Sequence, residues 1–337
     1  MKEFDHNGAG MPGQLFGLPV SPQEAELVIL PVPWEVTVTY QTGTAQAPTA
    51  LLQASRQIDL YHPQFPEAWK LAVSMEPVSQ DFLDENHSLL ALAQSYRQVR
   101  DTQPEADTMI PSKINEASEN LNVYLKTKSA QYLKAGKVVG VLGGDHSTTL
   151  GLLRALADKY ERFGILQIDA HADLRKAYEG FTYSHASIMF NALRLPAVAR
   201  LVQVGVRDYC EEEVTVMKRA MGRVKTFFDH DLQSSFSEGA TWKSWCDKIV
   251  NELPPLVYIS FDIDGMNPTL CPNTGTPVPG GLQFHQATYL IAQVVKSGRT
   301  IIGFDLCEVG HAEWDANVGA RMLWELCHYT MASRKHR

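Results

Sequence analysis

No Cys-x-x-Cys pair occurs among the five cysteines, Cys210, Cys246, Cys271, Cys307 and Cys327. An odd number of thiols scattered through the second half of the chain makes no disulfide framework and is expected of a reduced, cytoplasmic protein. Long apolar runs are missing too. None approaches membrane-spanning length, and residues 1–19 hold Gly and Pro but no apolar signal core. Positive charge is in deficit, with Lys plus Arg at 30 against Asp plus Glu at 38, a formal charge of -8. No basic block precedes the short tail Arg334-Lys335-His336-Arg337. Neither nucleic acid nor a membrane surface is therefore an expected partner. A Gly-x-Gly-x-x-Gly or Walker pattern is also absent, so nucleotide binding has no motif to rest on.

The 337 residues, 45% hydrophobic and 20% charged, have the make-up of a globular enzyme with a large core. Eight short runs are predominantly apolar rather than alternating, the pattern of strands buried on both faces. They are Leu27–Val32, Leu71–Met75, Val138–Leu142, Gly164–Ile168, Leu201–Val206, Val224–Phe228, Leu256–Phe261 and Ile301–Leu306. Helical periodicity fills the intervals at 45–57, 86–100, 114–135, 147–160, 185–193, 211–221, 242–253 and 284–296, with a last helix at 317–333. Strand followed by helix, repeated along the chain, predicts an α/β fold with one parallel sheet covered on both faces. A single domain spanning residues 1–337 is expected, with Asp101–Ser112 as a surface excursion. The long insert between the second and third strands is the one candidate for an appended lobe.

In open parallel sheets, ligands bind beyond the carboxyl ends of the strands. The residues just past each run are therefore the ones to test for chemistry. Gly164–Ile168 leads into Asp169-Ala170-His171-Ala172-Asp173, three metal-ligand side chains at alternate positions and so on one face of an extended backbone. Val138–Leu142 leads into Gly143-Gly144-Asp145-His146-Ser147, where the glycines allow a sharp turn and Ser147 is placed to cap the next helix. Leu256–Phe261 delivers Asp262 and Asp264, and Ile301–Leu306 delivers Cys307 and Glu308. The rim thus offers His146, Asp169, His171, Asp173, Asp262 and Asp264. Six donors are too many for one catalytic zinc but suit two cations about 3.5–4 Å apart with bridging carboxylates. Four carboxylates balance two divalent ions. A set of oxygen and imidazole donors without thiolate leans towards Mn²⁺, with Fe, Ni and Co as alternatives.

Gly143–Ser147, Asp169–Asp173, and Ser260–Asp264 followed by Thr274-Gly275-Thr276-Pro277-Val278-Pro279-Gly280-Gly281 resemble the signatures of the ureohydrolases: arginase, agmatinase, guanidinobutyrase and formiminoglutamase. The likeness runs from about Leu30 to Glu308. It implies a three-layer α/β/α sandwich around an eight-stranded parallel sheet and a trimeric or hexameric homo-oligomer. It also implies two Mn²⁺ per subunit, one held by His146 and Asp173, the other by His171 and Asp264, with Asp169 and Asp262 bridging. The implied reaction is hydrolysis of a small cationic guanidino substrate with release of urea. Three catalytic roles come with it: Asp173 passes a proton to the departing amine, Glu308 pairs with the guanidinium, and His185 in Ser184-His185-Ala186 shuttles protons or orients substrate. His311 and Glu313 read as a surface turn, Cys271 as an unpartnered loop thiol, and Trp34 and Tyr40 as packing or as the substrate mouth.

Two features bear on which member this is. Asn267-Pro268 stands where the family commonly has Asp-Pro, which removes a charge near the third motif. The loop Leu174-Arg175-Lys176-Ala177-Tyr178-Glu179-Gly180 resembles the agmatinase form rather than the Asn- and Ser-bearing arginase form. Agmatine, giving putrescine and urea, is the expected substrate, while a free Arg175 would favour a carboxylate such as guanidinobutyrate. Arginase, guanidine hydrolase and formiminoglutamase activities are the alternatives within the family. Outside it stand a non-catalytic metal-binding scaffold and a one-zinc deacetylase.

Overall fold

The computed structural model describes residues 4–102 and 109–335. Its centre is a sheet of eight strands: β1 (Leu27–Val32), β2 (Val73–Met75), β3 (Val138–Gly143), β4 (Phe163–Ile168), β5 (Val198–Val206), β6 (Val224–Phe228), β7 (Leu256–Asp262) and β8 (Thr300–Cys307). Their order is β2-β1-β3-β8-β7-β4-β5-β6, and every neighbouring pair is parallel. Runs that are mostly apolar at successive positions make sense here, because both faces of the sheet are covered. Leu27 and Ile29 belong to one core, Val28 and Leu30 to the other.

On the first face lie α1 (Ala47–Ser55), α7 (Asp229–Ser237), α8 (Trp242–Asn251), α9 (Phe284–Lys296) and α10 (Glu313–Ala332), contributing Leu51, Leu232, Ile249, Ile291 and Leu323 to that core. The opposite face carries α2 (Gln80–Thr102), α3 (Met109–Lys134), α4 (Leu150–Lys159), α5 (Ile188–Leu193) and α6 (Glu211–Arg219). Leu89, Leu121, Leu152 and Ile188 fill the second core. The architecture is the expected α/β/α sandwich around eight parallel strands.

Some boundaries differ, each for a local reason. Helix α7 falls outside the intervals expected to be helical, in the polar stretch Asp229-His230-Asp231-Leu232-Gln233-Ser234-Ser235. It is held by single anchors, with Leu232 fully buried and the Asp229 carboxylate accepting the Gly281 N–H at 3.1 Å. The expected excursion at Asp101–Ser112 is shorter than its composition implies. Pro111 and Ser112 lie in the first turn of α3, where a proline costs the helix no hydrogen bond. Residues 103–108 lie outside the described residues. Cys271 is no free loop thiol either: it is buried and its Sγ lies 3.0 Å from Asp315 Oδ1. Glu313 opens α10 rather than extending a turn. Trp34 is wholly buried, whereas Tyr40 is exposed.

Candidate metal centre

The four strands that deliver His, Asp or Glu are neighbours at the middle of the sheet, in the order β3-β8-β7-β4. Pairing of Ile168 with Phe261 sets Asp169 and Asp262 side by side one residue further on. A 3-10 turn carries His146 out of β3, and its cap is the Asp145 carboxylate, which accepts the Ser147 N–H at 3.0 Å. The capping side chain is thus Asp145 rather than Ser147. Asp262 does the same for the turn that carries Asp264, accepting its N–H at 2.9 Å.

The six rim residues converge. His146 Nδ1 lies 2.9 Å from Asp173 Oδ2, 3.1 Å from Asp169 Oδ2 and 3.3 Å from Asp262 Oδ2. His171 Nδ1 lies 3.0 Å from Asp264 Oδ2 and 3.7 Å from Asp169 Oδ1. Two chelating triads result, His146/Asp169/Asp262 and Asp169/His171/Asp264, each with its donor atoms within 4.8 Å of one another. Asp169 belongs to both, one oxygen turned to each side.

Several observations fit a pair of cations here. His146 Nδ1 and Asp264 Oδ2 are buried polar atoms without a hydrogen-bond partner, and both aim into the cluster. The opposite nitrogen of His146 is already committed: Nε2 donates to Ser260 Oγ at 2.8 Å, and that hydroxyl donates to Asp305 Oδ2 at 2.8 Å. The tautomer this imposes leaves the Nδ1 lone pair for a metal.

Electrostatics points the same way. Burial, then the charge of Asp169, raises Asp173 to about 7, while burial and Asp264 push Asp262 well above the carboxylate range. Burial works against charging His146 and His171, yet their aspartate partners outweigh it and raise both. The cluster holds more negative charge than its own imidazoles can neutralise, and it gathers protons in place of cations.

Glu308 is buried beside His146. Its Oε1 accepts the His146 N–H at 3.0 Å, and Oε2 has no partner, with Gly275 packed against it. Asp173 and Glu308 both sit at left-handed φ, 54° and 60°, a strained conformation for non-glycine residues at two of the rim positions. His185 stands apart from the six. Its N–H donates to Thr37 Oγ1 at 3.1 Å, and its Nδ1 lies 3.3 Å from the same oxygen. Burial, then the positive charge of His171 and Arg97, depresses it to about 3, so it is a neutral imidazole. Asn267 does not reach the cluster. Its side chain closes a local turn onto Thr269 N and Oγ1 at 3.0 and 2.7 Å, a job that does not require charge.

A cavity of about 410 Å³ opens above His171 and Asp173 and is lined further by Tyr40, Tyr178, His185, Asp208 and Tyr209. Trp34 and Glu308 are not on its wall. Three further participants had no chemical role to suggest them in the sequence: Ser260, which opens the third motif, and Asp305 and Thr37, which lie outside the motifs. The first two lie opposite each other across the β7–β8 register, a relation that appears only once the strands are paired.

The model of the arginase family matches residues 25–329. An N(1)-aminopropylagmatine ureohydrolase of Thermus thermophilus is 31% identical over 301 residues, covering 87% of each chain. An agmatinase of Bacillus anthracis is 26% identical over 291 residues, 85% of this chain and 84% of that one. The fold is shared with the agmatine ureohydrolase of Thermoplasma volcanium, at a TM-score of 0.73 and 21% identity over 96% of both chains. It is shared as well with proclavaminate amidinohydrolase of Streptomyces clavuligerus, at 0.71 and 20%, covering 98% of this chain and all of that one. This chain belongs to the arginase family, the ureohydrolases that cleave guanidino C–N bonds.

Proposed function

We propose that the protein hydrolyses agmatine to putrescine and urea at a Mn²⁺ pair held by His146, Asp169, His171, Asp173, Asp262 and Asp264. The observation that carries the substrate reading is the charge on the cavity wall. Arg175, the residue that would welcome a carboxylate, lies over the Tyr178 ring at 4.7 Å and 4.0 Å from the buried Glu213 carboxylate. Its charge is answered within the protein. Asp208, by contrast, has a side chain 69% exposed at the cavity, with His171 Nε2 4.0 Å from it. Together with the rings of Tyr40, Tyr178 and Tyr209, it suits a distal ammonium. A longer polyamine tail is the second reading, because the more similar relative named above acts on N(1)-aminopropylagmatine.

When bound, the cations supply an acidified water and stabilise the negative charge that develops in the transition state. Everything else falls to the chain. Asp169 spans both halves of the cluster and fixes their spacing. Asp173, on the cavity wall beside His146, receives a proton from the attacking water and returns it to the departing amine. Glu308 Oε2, buried without a partner behind Gly275 and off the cavity wall, is the acceptor that the guanidinium meets on reaching the cluster. Neutral His185, anchored by Thr37, orients the substrate and relays protons towards solvent. Cysteines free of disulfides among the described residues suit a cytoplasmic enzyme, and the family likeness suits a homo-oligomer.

The test is urea release from agmatine, N(1)-aminopropylagmatine, arginine, guanidinobutyrate, guanidine and formiminoglutamate after Mn²⁺ loading, with metal content measured in parallel. Highest kcat/KM on agmatine and two ions per chain are expected. Preference for guanidinobutyrate would overturn the charge argument, and a single ion per chain would overturn the paired centre.

A further inference from the structure

Helices α2 and α3, inserted between β2 and β3, contribute no side chain to the cluster or to the cavity wall among the described residues. Yet Arg97 on α2 reaches both loops that build that wall. Its Nη2 donates to the Thr37 carbonyl oxygen at 2.9 Å, and its Nε donates to Glu179 Oε2. The guanidinium carbon lies 5.4 Å from the centre of the Phe181 ring. Arg100, one turn further, donates to the other Glu179 oxygen at 2.9 Å. The Arg97 and Glu179 side chains are each 13% exposed, so their pairing is less screened than a surface ion pair.

From α3, Asn115 closes the same turn with two bonds. Its Nδ2 donates to Gly180 O at 3.1 Å, and its Oδ1 accepts the Thr182 N–H at 2.8 Å. A β-carbon on Gly180 would lie 3.3 Å from Pro111. Glu179 and Gly180 hold φ of 55° and 87°, so the turn is strained at Glu179 and is gripped from outside by both helices. Thr37 passes the grip on, because its hydroxyl donates to Asp145 Oδ2 at 3.0 Å and accepts the His185 N–H.

We infer that Arg97 is a positioning residue whose planar fork clamps residues 36–40 to residues 174–181, so that the α2–α3 hairpin fixes the width of the substrate cavity. A guanidinium can serve two acceptors in different loops at once; an ammonium at the same site keeps the charge but loses the fork. Only the kinetic arm of the test rests on the proposed hydrolase activity.

The experiment compares the Mn²⁺-loaded full chain with Arg97→Lys, Arg97→Met, Glu179→Gln and the Arg97→Met/Glu179→Gln double variant. Amide hydrogen exchange is followed over 36–40 and 174–187 without substrate, and KM and kcat are measured on the compound the wild type prefers. Arg97→Met is expected to speed exchange in both segments about tenfold or more. It should raise KM about tenfold with little change in kcat or metal content. Glu179→Gln should loosen only 174–187, and the double variant should be no worse than Arg97→Met, as two ends of one contact require. Arg97→Lys should keep 174–187 protected and loosen 36–40; it carries the test if Arg97→Met does not fold. Wild-type exchange and KM in these variants, even with a lowered thermal midpoint, would overturn the clamp. Should the wild type release urea from none of the compounds, the functional reading fails, and exchange alone decides for or against the clamp.

Discussion

A single hydroxyl sets the orientation of His146. Ser260 Oγ accepts the Nε2–H hydrogen bond and donates its own to Asp305, a carboxylate that burial raises above its usual range. Removing that hydroxyl frees the imidazole to rotate and leaves Asp305 with a lost donor. Ser260→Ala is therefore expected to weaken divalent-metal affinity about 10–100-fold while the fold survives. Competition titration against a chromogenic chelator reads this directly, and unchanged affinity would mean that packing alone orients the ring. The difference between Ser260 and the six rim residues marks what a sequence can disclose. Asp169, His171 and Asp173 declare themselves by a period of two at the end of an apolar run. Ser260 and Asp305 are 45 positions apart and acquire a relation only through strand pairing. Arg97 and Glu179 are 82 positions apart; Arg97 reads in isolation as an ordinary surface charge, and the loop that holds Glu179 does not name its partner.

At the scale of elements, the strands were the legible part. A parallel sheet covered on both faces favours apolar residues at successive positions, so most of the eight runs stand out without alternation, while the edge strand β6 keeps an exposed Lys225. Helices α2 and α3 begin six and five residues before the expected intervals, at Gln80 and Met109, because their first turns mix polar and apolar residues without a helical period. Turns are where small residues decide the site. The turn after β7 lies so close to β4 that a β-carbon on Gly265 would sit 2.5 Å from Asp169 N and 2.8 Å from Ile168 C. Both are backbone atoms in a hydrogen-bonded strand and cannot swing aside. Gly265→Ala is thus expected to displace Asp264 from Asp169, costing about 1–3 kcal/mol of stability and at least about tenfold in metal affinity. Gly298→Ala is the control. Its φ is +80° with nothing within 4 Å, so it should cost about 1 kcal/mol and leave the metal untouched. Urea denaturation and metal titration separate the two.

The whole molecule carries a trade between function and stability at its rim. Asp169, Asp173, Asp262 and Glu308 lie within a few per cent of complete burial, where like charges repel at low dielectric and no apolar packing compensates. Cations that bind this cluster only in the folded chain stabilise it by mass action, about 4 kcal/mol at a thousandfold excess over Kd. Chelation should therefore lower the thermal midpoint by about 6 °C. Substituting one carboxylate then has opposite effects in the two states. Asp262→Asn can still accept the Asp264 N–H, but it removes a charge from the cluster. With chelator present, its midpoint is expected to equal or exceed that of the wild type; with Mn²⁺ present, most of the gain should vanish along with turnover. Scanning calorimetry of both proteins under both conditions gives the four midpoints. If Asp262→Asn were lower in chelator and rose as far with Mn²⁺ as the wild type does, the carboxylate would be a structural acid rather than part of a charge cluster built around two cations.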